Sequence, residues 1–144
     1  MALDLSMEIS ARPFQSLLFN RIGLAMGGSG DFEAAYEYFE KSFNTAQEIG
    51  ADWLKIGPLG NLAGYKRSKG NFKSAIDDLE EVLKFSKDFG DKKDAFNAYL
   101  ALADLYREIG EKEKSQEYYW KGLLLGINLG FFQIQGIVDV SDED

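Results

Sequence analysis

The residues of this sequence best suited to chemistry are carboxylates, and the densest group is Asp77, Asp78, Glu80 and Glu81. Closely spaced carboxylates can bind a hard cation or exchange protons with a substrate. Glu80 and Lys84, however, are four residues apart, which is the spacing of a favourable surface ion pair on a helix. Charged runs of this kind are typical of a solvated helix face. We therefore predict an outer surface here and no metal site.

Cysteine and histidine are both absent from the sequence. Their absence excludes disulfides, thiol nucleophiles, metal sites built from thiolate or imidazole, and histidine acid–base catalysis. An enzyme would have to use carboxylate, lysine, tyrosine or serine chemistry. We predict that the protein is not an enzyme and has no cofactor.

The segment Gly27-Gly28-Ser29-Gly30 has the glycine content of a phosphate-binding loop. Such a loop needs Lys-Ser or Lys-Thr after its last glycine, and a helix N-terminus free of negative charge. Asp31 and Glu33 follow instead, and they would repel an anion. The segment is better interpreted as a turn between helices.

Composition and charge limit the classes of partner. The chain has 144 residues, of which 45% are hydrophobic, so it can form one ordinary domain with a core. Its net charge of −8 is wrong for binding nucleic acid through phosphates. No apolar run approaches the roughly 20 residues that span a bilayer, and the first residues do not form a signal peptide. These observations predict a cytoplasmic protein with neither nucleic acid nor membrane as partner.

The elements that position these residues repeat along the chain. Glycine recurs with a period of 40 residues in two series, Gly30, Gly70, Gly110 and Gly50, Gly90, Gly130. A period of this length is the signature of a repeat architecture. Between the glycines, apolar residues are spaced at threes and fours, as on one face of an α-helix. The stripe in the first block is Phe32, Ala35, Tyr36, Phe39, Phe43, Ala46 and Ile49.

These patterns predict an all-α chain of antiparallel helix pairs. Gly30 and its equivalents suit the left-handed conformation that ends a helix, and Asp31 suits the cap that begins the next one. The first helices should therefore end near Gly28, Gly70 and Gly110. Small residues such as Ala75 and Ala103 fall where two helices must approach closely. Aromatic residues at helical spacing, including Trp53 and Trp120, are expected in the core.

The repeated unit resembles the tetratricopeptide repeat. The first-helix pattern of that family is matched by Phe19, Ile22, Gly23 and Met26, by Leu59, Leu62, Ala63 and Lys66, and by Tyr99, Leu102, Ala103 and Tyr106. The second-helix pattern is matched by Ala35 with Phe39, Ala75 with Leu79, and Ser115 with Tyr119. The usual period is 34 residues, so this chain resembles a longer-period branch of the family. The resemblance implies an α-solenoid that serves as a protein-interaction scaffold. The predicted divisions are a partial helix at 1–10, repeats at 14–50, 51–90 and 91–130, and a cap or tail at 131–144.

The resemblance also implies where a partner would bind. First helices of the family line a concave groove, in which Asn61 corresponds to an asparagine that bonds to the backbone of a peptide. The groove set carried over to this chain is Asn20, Leu24, Asn61, Gly64, Arg67, Asn97, Leu100, Asp104 and Arg107. The expected function is binding of a peptide or helix from another protein, without catalysis.

The alternative is a structural segment that associates with itself or packs inside a larger regulator. The segment 131–144 is apolar at first and then acidic, and 1–10 has apolar residues in register with the end of a second helix. Apolar surface at the end of a repeat array favours association. We predict a homo-oligomeric contact through the terminal helices, mainly through Phe131, Phe132 and Ile134.

Overall fold

The computed structural model describes residues 2–89 and 91–131, with side chains from residue 11 onward. All the regular structure in this part of the chain is helical. The six α-helices are α1 (Ala2–Gly28), α2 (Phe32–Glu48), α3 (Ile56–Ser68), α4 (Phe72–Phe89), α5 (Lys92–Glu108) and α6 (Lys112–Asn128). A short 3-10 helix, Asp52–Lys55, precedes α3.

The turns form where the sequence predicts them. Gly30, Gly70 and Gly110 have φ of 92°, 77° and 86°, a left-handed conformation that glycine adopts without the steric cost of a side chain. Asp31 then caps α2, since its carboxylate accepts a hydrogen bond from the Ala34 amide at 3.1 Å. The predicted ends of the first helices are confirmed to within two residues.

The helices pack as three consecutive pairs, α1 with α2, α3 with α4, and α5 with α6. Each first helix of a later pair also packs on the preceding second helix, which gives a solenoid. Ala75 and Ala103 are both fully buried at these crossings. Gly23 is equally constrained, because a Cβ there would lie 2.5 Å from the Phe39 ring. Small residues therefore permit the close approach that the sequence pattern predicts.

The beginning of the chain differs from the prediction. We expected a partial helix at 1–10 and a separate first repeat from residue 14, but α1 is continuous from Ala2 to Gly28 and contains Pro13. The position equivalent to Gly50 and Gly130 is Ser10. Both of those glycines adopt positive φ at the end of a helix. Serine does so at a steric cost, so the helix continues through this position.

Candidate functional site

All nine residues of the predicted groove lie on the first helices α1, α3 and α5. Each is at least partly accessible. Leu24, Gly64, Asn97 and Arg107 are exposed, and Asn20, Asn61, Arg67, Leu100 and Asp104 are half-buried. Four of them are joined in pairs by polar contacts within the set, and Arg67 pairs with Glu108 outside it.

Asn20 and Asn61 connect α1 to α3. The side-chain amide of Asn61 donates a hydrogen bond to the side-chain oxygen of Asn20 at 2.9 Å. This bond leaves the amide oxygen of Asn61 without a partner among the described residues. That oxygen is an acceptor held in a fixed orientation on a half-buried surface.

Arg67 connects α3 to α5 by an ion pair with Glu108. Its Nε donates to Glu108 at 2.9 Å, and its Nη2 contacts the same carboxylate oxygen. This hydrogen bonding raises the pKa of Arg67. The pair fixes the side chain and neutralises much of its charge, which leaves Arg67 less available to an anionic partner.

Asp104 is similarly engaged within the third repeat. Tyr119 donates a hydrogen bond to its carboxylate, and Arg107 lies 3.2 Å from the same oxygen. The contact with Asp104 raises the pKa of Tyr119, so this phenol stays protonated at neutral pH. The groove set thus presents few uncompensated charges on α5.

A cavity of about 270 Å³ opens between the first pair and α3. We call it the groove cavity. Its lining residues are mainly apolar and aromatic, and two of them, Asn61 and Gly64, belong to the predicted set. They are Gly27, Phe32, Ala35, Phe39, Asn61, Gly64, Tyr65 and Ser68. A Cβ added at Gly64 would meet no atom within 4 Å, so the absence of a side chain there keeps the cavity open.

The aromatic wall of the groove cavity is held in place by polar contacts at its edge. Tyr65 lies against Tyr36 with ring centroids 4.5 Å apart, and its hydroxyl donates to Glu33 at 2.9 Å. Lys69 pairs with the same carboxylate at 3.0 Å. Lys69 and then Tyr65 lower the pKa of Glu33, so this carboxylate is ionised at neutral pH. The position of the Tyr65 ring is consequently fixed by contacts within the protein.

A second cavity, of about 510 Å³, lies on α5 and α6, the last pair that the structure describes. We call it the terminal cavity. Leu100 is the one member of the predicted groove set that lines it, together with Phe96, Gln116, Tyr119, Trp120 and Leu123. Three of the nine groove residues thus line these two cavities, two in the groove cavity and one in the terminal cavity.

Two aromatic residues expected in the core are on the surface instead. Trp53 is 51% exposed and Trp120 is 63% exposed. Trp120 is equivalent to Glu80, which is exposed on the preceding pair. Helical spacing alone did not distinguish a core position from an exposed one.

The residues predicted for self-association are only partly described. Phe131 is 47% exposed and packs edge-on against Phe96 with ring centroids 5.0 Å apart. Phe132 and Ile134 lie outside the described residues. Phe131 thus begins the C-terminal segment beside the terminal cavity.

The acidic group on α4 is only partly a solvated surface. Asp77, Glu80 and Glu81 are exposed, as predicted. The prediction is wrong for Asp78, whose side chain is 15% exposed and pairs with Lys66 of α3 at 2.6 Å. Burial raises the pKa of Asp78, against the opposing effect of Lys66. Asp78 therefore joins α4 to α3 by a contact that the sequence of α4 alone does not indicate.

No helix among residues 2–89 and 91–131 has the length and apolar character needed to cross a membrane. No curated protein matches the chain in sequence. Residues 96–125, within the third pair, match the sequence model of the tetratricopeptide repeat family.

Solved structures resemble most of the chain. The tetratricopeptide repeat domain of FLU from Arabidopsis matches with a TM-score of 0.72 and 23% identity, over 78% of this chain and 95% of that one. The N-terminal domain of stress-induced protein-1 from C. elegans matches with a TM-score of 0.68 and 15% identity, over 80% of this chain and 87% of that one. BtubC from P. vanneervenii matches with a TM-score of 0.73 and 17% identity, over 92% of this chain but 55% of that one.

At these identities the similarity establishes the fold. Tetratricopeptide repeats are generally protein–protein interaction modules and non-catalytic scaffolds. The matched third pair, the three stacked pairs and these structural relatives agree with one another. Residues 96–125 therefore match a tetratricopeptide repeat, and the chain has the fold of tetratricopeptide repeat domains.

Proposed function

We propose that this protein binds a peptide or helix of a partner protein along α1, α3 and α5, and that one apolar side chain of the partner enters the groove cavity. The observation that carries the proposal is the position of that cavity. Asn61 and Gly64, two members of the groove set, line it beside the apolar side chains Phe32 and Phe39. Polar groups are thus available at the edge of an apolar site.

The volume of the cavity favours one side chain over a free small molecule. At about 270 Å³ it is smaller than the roughly 300–1,000 Å³ of pockets that enclose drug-sized ligands. Phe32 is 61% exposed and forms part of the wall that an apolar side chain would cover. Burial of apolar surface there would supply the affinity.

The side-chain amide of Asn61 would orient the bound partner. Because Asn20 holds it by a hydrogen bond, the Asn61 oxygen can accept from a backbone N–H of the partner without a large loss of side-chain freedom. Arg67 and Asp104 are already paired within the protein, so we expect them to act at the rim and to contribute little to affinity.

Catalysis is not part of this proposal. The pKa of Tyr36 is raised to about 12 by its hydrogen bond to Glu40, and those of Tyr65 and Tyr119 are raised by Glu33 and Asp104. A phenol with a raised pKa is a poor general base at neutral pH. We also propose a cytoplasmic location, with neither nucleic acid nor membrane as partner, in keeping with the charge of −8.

The test is selection of peptides from a random phage-displayed library on the wild-type protein, followed by binding measurements on a Gly64→Leu variant. Leucine at this position has open space, improves helix propensity and fills the groove cavity. We expect the selected peptides to lose at least about tenfold in affinity. The control is Gly28→Leu, since Gly28 also faces open space but does not line the cavity. Equal binding to both variants would refute the groove cavity as the site.

A second candidate function is self-association through the terminal cavity. Trp120, Leu123 and Phe131 are exposed apolar residues at this end of the array. On the second pair, the equivalent residues Ile56 and Ile76 are buried in a cluster with residues of α5, whereas Glu80, the equivalent of Trp120, is exposed. A second copy that covered the terminal cavity would bury the same kind of surface.

A further inference from the structure

A third cavity, of about 570 Å³, lies where α4, α5 and α6 meet. None of the nine groove residues lines it. We call it the lysine cavity, because its lining includes four lysines around an apolar floor. These are Lys84, Lys87, Lys92 and Lys121.

The lysines give this cavity a charge opposite to that of the protein as a whole, which is −8. Among the described residues, Lys121 is the one lysine of the four in an ion pair, with Glu117 at 2.9 Å. The one carboxylate in the lining, Asp91, accepts hydrogen bonds from the backbone amides of Lys93 and Asp94 at 3.1 Å each. Most of the positive charge is therefore available to an external anion.

The floor of the cavity contains a slot that is filled at the equivalent place one repeat earlier. There, Lys55 extends between two aromatic rings, with its Nζ 5.7 Å from the centre of Phe43 and 5.5 Å from that of Phe85. Its side chain is only 14% exposed. Forty residues on, the equivalent residues all line the lysine cavity. They are Leu83, Ala95 and Leu125.

The change at Ala95 leaves this slot open. Alanine ends at Cβ, whereas the lysine it replaces fills the equivalent space with four methylene groups. The two leucines also remove the aromatic rings that favour a cation at that place. An apolar side chain fits the slot better than a basic one does, because lysines surround its mouth.

Ser86 adds a buried polar group to the same cavity. It is 2% exposed, and its hydroxyl has no hydrogen-bond partner among the described residues. The equivalent residue one repeat earlier is Ala46, which is fully buried. A buried hydroxyl is normally satisfied. Ser86 is thus a donor held at the cavity without an acceptor.

We propose that the lysine cavity binds an acidic peptide segment of a partner protein. An apolar side chain of the peptide enters the slot between Leu83 and Leu125, carboxylates beside it pair with the lysines, and a peptide oxygen accepts from Ser86. The extended apolar floor favours a peptide over a compact phosphate, which would need the cations to converge on one point. This site is separate from the groove cavity, and both can be occupied at once.

The C-terminal segment of the chain is a poorer occupant despite its acidic residues. Its first residue, Phe131, packs on Phe96, which lines the terminal cavity and not the lysine cavity. The segment therefore begins beside a different surface. Its own acidic residues are Asp139, Asp142, Glu143 and Asp144.

The experiment measures binding of a fluorescein-labelled peptide, in which one leucine is flanked on both sides by glutamates, to the full chain by fluorescence anisotropy. We expect saturable binding that weakens as salt is raised. The same peptide with glutamine in place of every glutamate should bind at least about tenfold more weakly. Equal binding of the two peptides would overturn the proposal.

Two variants test the charge and the slot separately. Lys87→Glu with Lys92→Glu should reduce affinity at least about tenfold, whereas Lys73→Glu with Lys112→Glu changes the net charge equally at exposed lysines outside the cavity and should have little effect. Ala95→Met fills the slot without changing charge and should also reduce affinity. If the two double variants behave alike, or if Ala95→Met leaves affinity unchanged, the assignment is wrong.

Two further measurements identify the occupant and the site. If neutralising Asp139, Asp142, Glu143 and Asp144 by amide substitution strengthens peptide binding, the chain's own tail occupies the cavity and the partner peptide is refuted. Gly64→Leu should leave binding of the glutamate peptide unchanged. Weaker binding of this peptide to the Gly64→Leu variant would place the peptide in the groove. That result would overturn the assignment to the lysine cavity without contradicting the proposed function.

Discussion

Ser16 of α1 and Ser42 of α2 exchange hydrogen bonds, because each side-chain hydroxyl donates to the backbone carbonyl of the other at 2.8 Å. Both residues are essentially fully buried. The first pair is thus joined by a symmetrical polar contact, in addition to the ion pair between Arg12 and Glu48. Serine is small enough to let the two helices approach while still providing a donor.

Replacing Ser42 with alanine should destabilise the protein. The substitution keeps the small volume but removes one of the reciprocal hydrogen bonds, which is worth about 1 kcal/mol. Urea unfolding followed by circular dichroism measures the free energy of unfolding. No loss of stability in the Ser42→Ala variant would show that this contact contributes nothing to the first pair.

The same substitution at Ser86 should have the opposite effect. The hydroxyl of Ser86 is buried without a partner, so Ser86→Ala removes a polar group that folding takes out of water. We expect a gain of about 1 kcal/mol in the free energy of unfolding, measured by urea unfolding. The Ser42→Ala variant is the matched control, since both serines are buried in second helices. Destabilisation by Ser86→Ala would mean that its hydroxyl is satisfied.

Enlarging a small residue at a helix crossing should be costly. Ala75→Leu or Ala103→Leu adds three carbon atoms at a fully buried site, and overpacking of this kind costs about 1–3 kcal/mol. Glu81→Leu is the control, because Glu81 lies on the exposed face of α4. Asp78 on the same helix is unsuitable as a control, since its side chain pairs with Lys66. Melting temperatures compare the three variants. Similar values for all of them would show that the crossings are not tightly packed.

The raised pKa of Asp78 predicts how stability depends on pH. Burial makes the folded protein bind a proton at Asp78 more readily than the unfolded chain does, so ionisation of this group opposes folding. The contribution of Asp78 to stability is therefore largest at acid pH, and decreases as pH rises from about 3.9, the ordinary pKa of an aspartate, through the higher pKa of the folded protein. The Asp78→Asn variant lacks this titration. Unfolding of both proteins across this range should show the wild type losing stability relative to the variant, and a gain would reverse the sign assigned to burial.

Sedimentation velocity tests self-association through the terminal cavity. The wild type should sediment as an oligomer at tens of micromolar, and Trp120→Glu should shift it towards monomer because it places a charge on the proposed contact. Trp53→Glu is the matched control, since Trp53 is also about half exposed but lies outside this cavity. Phe131→Asp with Phe132→Asp should act as Trp120→Glu does. A wild-type monomer, or equal effects of the two tryptophan variants, would refute the contact.

The features that could be predicted from the sequence are those that neighbouring residues determine. The left-handed turns at Gly30, Gly70 and Gly110 follow from glycine itself, and the cap at Asp31 follows from a side chain within reach of its own helix. The helix stripes are similarly local, because periodicity records which face is buried.

Other features depend on which helix lies opposite, and sequence spacing does not give that information. Asp78 follows the same pattern as its exposed neighbours, but Lys66 reaches it from the adjoining helix. Trp120 lies at a position that is exposed on the preceding pair as well, where the equivalent residue is Glu80. The slot at Ala95 becomes evident only when the equivalent Lys55 is seen lying between two rings.

The two polar contacts between successive first helices differ in kind, so the two connections along the solenoid should respond differently to salt. Each contact joins residues 41 positions apart, Asn20 with Asn61 and Arg67 with Glu108. The first joint is a neutral hydrogen bond, and the second is an ion pair that dissolved salt weakens. As ionic strength rises, the contact between the second and third pairs should therefore weaken, whereas the contact between the first and second pairs should change little.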